Sequence, residues 1–210
     1  PDQTWTAPNP HAALKEGDTP SWFYFLRNGL GFPDNPEWGG WGGRFRPTAG
    51  RQFRDAADTV GDTTHARATV WRWRVAYQAD FQARMDWCVA SEFASANHNP
   101  KAVLNGDATL DAVWVDAKPG ERLRLSADGS SDPDGDTLAF RWFAYPEAGS
   151  LSVPLTLKGA DAPEVVVTVP RVEEAATAHI ILEVRDDGEQ NLYAFRRAVI
   201  EIAPNLEEKR

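Results

Sequence analysis

The chain has 210 residues, of which 42% are hydrophobic and 25% are charged, a composition typical of a globular protein. Its net charge is -9, and from Asn99 onward 12 Lys/Arg stand against 20 Asp/Glu. Such an acidic chain is a poor partner for nucleic acid or for an anionic membrane. A neutral polysaccharide or a divalent cation remains compatible with this charge.

Tryptophan and cysteine counts narrow the class of protein further. Nine tryptophans indicate either large cores or exposed stacking surfaces, which favours carbohydrate binding without establishing it. Cys88 is the single cysteine, so an intrachain disulfide is excluded. The sequence starts at Pro1 without a signal segment, and we interpret it as a processed or partial chain whose location cannot be read directly.

The first 61 residues have no clear periodicity and are rich in Gly, Pro and aromatic residues. The apolar run Trp22–Leu26 predicts a short buried strand. The remainder of this segment predicts a long loop, and long ordered loops are usually functional or packed against another domain.

Residues 66–94 show helical periodicity. Apolar residues recur at three- and four-residue spacing: Trp73, Tyr77, Phe81, Met85, Cys88 and Val89. The N-cap is expected at Thr63, Thr64 or Thr69, and the helix is expected to end before Pro100. We therefore predict a loop-and-helix region over residues 1–98 and a second domain over residues 99–210.

The second half has the pattern of an all-β domain. The strand candidates are Leu123–Ala127, Leu138–Tyr145, Glu164–Val169, His179–Val184 and Tyr193–Ile202. Short strands at this spacing over about 105 residues predict a seven-stranded immunoglobulin-like β-sandwich, with Trp142 in its core. Asp186–Gly188 is expected to form a hairpin turn between the last two strands.

The turn Ser131–Asp136, with the sequence Ser-Asp-Pro-Asp-Gly-Asp, is the strongest local motif. Its aspartates can cap their own turn, and Gly135 supplies a positive φ. Alternating carboxylates at Asp132, Asp134 and Asp136 could also supply several of the oxygen ligands that Ca²⁺ requires. Two interpretations stay open, a calcium site and a rigid turn without metal.

Trp38 and Trp41 lie in a glycine-rich segment and predict a stacking pair for sugar rings. Glu37, Arg44 and Asn35 would then hydrogen-bond the sugar hydroxyls. The alternative is that the two indoles anchor the loop by packing, since glycine lets backbone segments approach closely. Asp34 with Glu37 is a further, weaker hypothesis for a glycosidase carboxylate pair.

Several segments resemble bacterial secreted proteins described as cellulose-binding. In the first half these are residues 15–21, 36–45, 79–88 and 97–100; in the second half, residues 130–136 and 142–149. Such proteins have a nucleoside-hydrolase-like N-terminal domain and a C-terminal β-sandwich, and the second half is also similar to PKD and cadherin-like modules. The first half lacks the aspartate cluster D-x-D-x-x-x-D-D of nucleoside hydrolases, so the resemblance transfers no catalytic residue.

The resemblance implies a tail of the hydrolase-like domain followed by the whole sandwich. We expect a mainly β protein that binds a plant cell-wall polysaccharide such as cellulose without catalysis. The expected location is secreted or periplasmic, and the remainder of the parent protein is an expected partner. The alternatives are a piece of a glycoside- or nucleoside-hydrolysing enzyme, or a purely structural sandwich.

Overall fold

The computed structural model describes residues 18–204, with side chains from Ser21 onward. The chain divides into two compact units, residues 1–78 and residues 79–210, and the division falls within a helix. The predicted boundary after residue 98 stays a prediction. Within the described range, no helix is long and apolar enough to cross a membrane.

The first unit combines short helices with two small β-hairpins. Its elements are α1 (Asp18–Phe25), β1 (Phe45–Pro47), β2 (Phe53–Asp55), β3 (Asp58–Val60), β4 (Thr63–His65), α2 (Ala68–Trp71) and the start of α3 (Arg74–Val89). β1 pairs antiparallel with β2, and β3 pairs antiparallel with β4. The long loop predicted here is therefore divided by two hairpins that the sequence did not reveal.

The predicted strand at Trp22–Leu26 is wrong, because these residues belong mostly to helix α1. Pro20 lies in the first turn of that helix, where a missing N–H costs no hydrogen bond. A helix also turns successive rings to different sides, so Phe23 is partly buried while Trp22 and Phe25 are exposed.

The predicted helix 66–94 is shorter than expected and splits into α2 and α3. Its predicted N-cap is wrong. Arg67 occupies the N-cap position of α2 without a side-chain cap, and the Thr69 hydroxyl donates instead to the Ala66 carbonyl at 2.7 Å. Thr63 and Thr64 lie in β4.

The predicted apolar face of α3 is not one buried face. Trp73 and Tyr77 are buried, but four residues from the same spacing pattern are exposed on the second part of the helix: Phe81, Met85, Cys88 and Val89. Helical periodicity shows which residues share a side, but it does not show which of two apolar sides is covered.

The second unit contains the predicted seven-stranded sandwich. Its strands are β5 (Val113–Ala117), β6 (Arg122–Ser126), β7 (Ala139–Ala144), β8 (Thr156–Lys158), β9 (Glu164–Thr168), β10 (Ala176–Arg185) and β11 (Tyr193–Ile202). One sheet has the order β5-β11-β10-β7 and the other β6-β9-β8. The sequence had missed β5 and β8.

The core of the sandwich lies between the two sheets. Trp142 is buried there among aliphatic side chains of both sheets, such as Leu182 and Val167. Its indole Nε1 donates to the Ala162 carbonyl at 2.9 Å, so the one polar atom of the ring is satisfied. The core position predicted for Trp142 is confirmed.

The connection between β10 and β11 is longer than the predicted tight turn. It spans residues 186–192, and Gln190 and Asn191 adopt positive φ values of 68° and 41°. Asp186 holds this loop, since its Oδ1 accepts hydrogen bonds from the backbone N–H groups of Leu192 (2.8 Å) and Gly188 (3.2 Å).

Candidate functional site

The two tryptophans predicted to stack on sugars occupy different environments. Trp41 is only 3% exposed and contacts Phe23 and Tyr77 in edge-to-face geometry, at centroid distances of 5.7 and 6.3 Å. Trp38 is partly exposed and packs edge-on against Phe32 at 5.2 Å. The structure thus makes Trp41 a packing residue, in agreement with the anchoring alternative, while glycan contact by Trp38 stays a prediction.

The polar residues of the predicted glycan site also differ from one another in their contacts and exposure. Arg44 donates from Nε to Asp58 Oδ1 at 2.8 Å and from Nη2 to the Ala57 carbonyl at 2.8 Å. Its guanidinium therefore makes structural contacts to residues 57 and 58. Asn35 forms a turn, with its N–H bonded to the Phe32 carbonyl. Glu37 is exposed. Glycan contact by Asn35 and Glu37 remains a prediction.

The glycines of this segment are needed for packing. A Cβ on Gly40 would lie 2.9 Å from the Cα of Gly31, closer than real Cβ contacts come. Gly43 has a φ of +100°, which a residue with a side chain rarely adopts. Gly40 therefore allows two backbone segments to touch, and Gly42 lines a nearby groove.

That groove, which we call the aromatic groove, has a volume of about 470 Å³. Four aromatic residues line it together with Asp34: Tyr24, Phe25, Phe45 and Phe53. Phe25 is 66% exposed and Phe53 is 53% exposed, so two flat apolar rings are available to a ligand. This combination of apolar faces with one carboxylate is suited to a ligand that has both apolar faces and hydroxyl groups.

Tyr24 fixes the geometry of the aromatic groove. Its ring meets Phe45 edge-on at 5.6 Å and Phe25 at 5.3 Å, and its hydroxyl donates to the Pro33 carbonyl at 2.9 Å. Burial, together with the nearby Asp34 carboxylate, raises the pKa of the Tyr24 phenol. The phenol therefore stays protonated at neutral pH and acts as a hydrogen-bond donor.

The turn at Ser131–Asp136 is held by its own hydrogen bonds. Asp132 Oδ1 accepts from the N–H groups of Asp134 (2.8 Å) and Asp136 (3.1 Å), and Asp134 Oδ2 accepts from the His98 N–H at 2.8 Å. Burial and then the neighbouring aspartates raise the pKa of Asp136. Among residues 18–204, no group of three or more Asp, Glu, His or Cys residues is arranged to hold a metal ion. The two hydrogen bonds to Asp132 Oδ1 close the turn by themselves, as the rigid-turn interpretation expects.

For that reason, we expect millimolar Ca²⁺ and excess EDTA to leave the melting temperature of the protein unchanged. A ligand at one hundred times its Kd stabilises a fold by about 2.7 kcal/mol, which differential scanning calorimetry detects easily. A rise in melting temperature that EDTA reverses would contradict this expectation. Asp132 and Asp186, each of which has a buried Oδ2 without a hydrogen-bond partner, would then be the first positions to substitute in a search for the ion.

The fold defines the class of the second unit as an immunoglobulin/PKD-type β-sandwich. Residues 122–202 match the family model described as cellulose-binding protein Sde0182, C-terminal domain. Residues 8–45 match the model described as cellulose-binding Sde182, nucleoside hydrolase-like domain; part of that match, like part of the 15–21 motif, lies outside the described residues. The resemblance predicted from the sequence is confirmed at both ends of the chain.

Among solved structures, a nucleoside hydrolase-related protein from Saccharophagus degradans, associated with carbohydrate metabolism, is similar to this chain. The identity is 36% and the TM-score 0.77, over 93% of this chain and 49% of that protein. The chain therefore spans about half the length of that relative. The PKD domain of the KIAA 1837 protein aligns with 17% identity and a TM-score of 0.37, over 55% of this chain and 97% of that domain. No curated protein sequence matches significantly.

Sequence reasoning missed the aromatic groove because its rings come from three separate segments. Phe25 was assigned to a buried strand, and Phe53 lies in a hairpin that was predicted as loop. The signal that could have found the groove is the density of aromatic residues on both sides of Pro33–Pro36, since the turn there brings these segments together.

Proposed function

We propose that this chain binds carbohydrate without catalysis, through the aromatic groove, and that the ligand is a plant cell-wall polysaccharide such as cellulose. The observation that best supports this proposal is the pair of exposed rings, Phe25 and Phe53, which line one groove together with Asp34. A β-linked glucan offers apolar C–H faces to such rings and hydroxyl donors to a carboxylate. The cellulose-binding descriptions of both matching family models support this ligand class.

The acidic net charge supports a neutral ligand, because an anionic polymer would be repelled. Cellulose lies outside cells, so the proposal includes a secreted or periplasmic location. It also keeps the remainder of a longer parent protein as a partner, given that the Saccharophagus relative is about twice as long as the matched region.

We expect Phe25→Ala and Phe53→Ala each to weaken retention on insoluble cellulose by about tenfold, as loss of a central aromatic contact typically does. The matched control is Phe81→Ala, which removes a ring of similar exposure (59%) on α3. Both groove positions are exposed, so these variants should fold. Trp41→Ala is unsuitable as a test, because truncating a buried tryptophan costs about 3–5 kcal/mol of stability by itself.

The same protein should be assayed for turnover of nucleosides and of soluble glucans. Binding without turnover supports the non-catalytic proposal, whereas hydrolysis would favour the enzyme alternative. Equal retention of both groove variants and the control would place the glycan site elsewhere.

A further inference from the structure

A second exposed aromatic surface lies on the sandwich, at the edge strand β5. Trp114 is 56% exposed there. Its neighbours Val113 and Val115 pack against the sandwich core. Because side chains alternate along a strand, Trp114 and Asp116 point together to the opposite face of the sheet.

A row of polar side chains continues from Asp116 across this face. Asp116 lies directly beside Glu201 of β11, and Glu201 lies opposite Thr177 of β10. Neighbouring strands of a sheet lie about 4.8 Å apart, so the side chains at these paired positions are close neighbours. Two carboxylates and a hydroxyl thus form a polar row on the sheet face that Trp114 shares.

The polar row opens into a cavity of about 590 Å³, within the range of small-ligand pockets. Ser150, Lys118 and Glu121 also line it. Ser150 is fixed, because its Oγ accepts from the Thr177 N–H at 2.9 Å and its own N–H donates to Thr177 Oγ1 at 3.2 Å. The cavity therefore has hydroxyl, carboxylate and ammonium groups on a rigid frame.

We infer that Trp114 and this cavity form a second carbohydrate-binding surface, specific for a neutral glycan. The indole supplies a flat face for a sugar ring, and the carboxylates of Asp116 and Glu201 accept hydrogen bonds from sugar hydroxyls. Three carboxylates against one ammonium in the lining exclude glycans rich in uronic acid or sulfate, because like charges repel.

This inference rests on the proposed carbohydrate function and adds a second point of contact.

The test is a titration of the ¹⁵N-labelled chain with cellohexaose, followed by the indole N–H resonances. The Trp114 resonance is assigned by its loss in Trp114→Phe. We expect this resonance to shift on titration, and Trp114→Ala to weaken retention on insoluble cellulose about tenfold, with Phe81→Ala as the control.

The outcomes separate the two proposals. An unmoved Trp114 resonance and unchanged retention of Trp114→Ala, together with loss of binding in the groove variants, would overturn the second surface alone. A shifted Trp114 resonance with full retention of the groove variants would overturn the groove and leave the second surface. If no indole shifts and the parent chain is not retained, both are overturned.

Discussion

Replacing Asp58 by alanine is expected to destabilise the first unit by about 3–5 kcal/mol, the usual cost of removing one partner of a buried ion pair. Asp58 is fully buried, and its two oxygens bind two different arginines: Oδ1 accepts from Arg44 Nε at 2.8 Å and Oδ2 from Arg72 Nη1 at 2.7 Å. Alanine would leave both largely buried guanidinium groups without this carboxylate.

The effect should extend to the aromatic groove, because Arg44 directly precedes Phe45, which lines it. Asp58 connects the start of β1 to α2, because it binds Arg44, which precedes β1, and Arg72, which is the C-cap residue of α2. Loss of the ion pairs should therefore lower cellulose retention even where the protein remains folded.

Urea unfolding followed by near-UV circular dichroism measures the change, and hydrogen exchange over residues 30–77 shows whether it is confined to the first unit. The matched control is Asp55→Ala, which removes an exposed carboxylate three residues away. Equal stability of the two variants would show that the buried pairs contribute little beyond the cost of desolvating them.

The sandwich could be predicted from the sequence because short stretches of sequence specify its strands and turns. The apolar run that follows the turn at Asp186–Gly188 predicted a strand over Tyr193–Ile202 with those same bounds, and the turn at Ser131–Asp136 carries its own hydrogen-bond acceptor in Asp132. β8 was missed because it has only three residues, too few for a pattern to emerge.

The first unit could not be predicted in the same way, since its structure depends on contacts between distant aromatic residues. Trp41 is buried because Phe23 and Tyr77 enclose it, and neither neighbour can be identified from the glycine-rich sequence around it. Conversely, Phe25 is exposed although it belongs to an apolar run. Residue type indicates that a ring can stack on sugar, but only the fold decides which ring is accessible.

A second large effect is expected on acidification, through His179 in the sandwich. His179 is buried on β10, and Arg197 Nη1 lies 3.0 Å from its Nδ1. Since a guanidinium can only donate, Nδ1 is the acceptor and the imidazole is neutral. Burial, and then the positive charge of Arg197, lowers the pKa of His179 from 6.5 to about 3.

The sign of the pH dependence follows from this pKa. The unfolded chain takes up a proton on His179 below about pH 6.5, whereas the folded chain does not until about pH 3, so stability is lost as the pH falls between these values. At about 1.36 kcal/mol per pH unit, the loss is about 2 kcal/mol at pH 5 and about 3 kcal/mol at pH 4. Asp186 acts in the opposite direction, because burial raises its pKa.

His179→Asn isolates the contribution of the histidine, because the amide oxygen can accept from Arg197 in place of Nδ1 but does not titrate. Urea titration at pH 7, 6, 5 and 4 measures the free energy of unfolding of this variant and of the parent. We expect the variant to lose less stability than the parent on acidification, by about 2 kcal/mol at pH 5 and about 3 kcal/mol at pH 4. The matched control is His65→Asn, at an exposed position of β4. Parallel pH profiles for His179→Asn and the parent would show that His179 takes up its proton at the same pH in the folded and unfolded chains, and would contradict the lowered pKa.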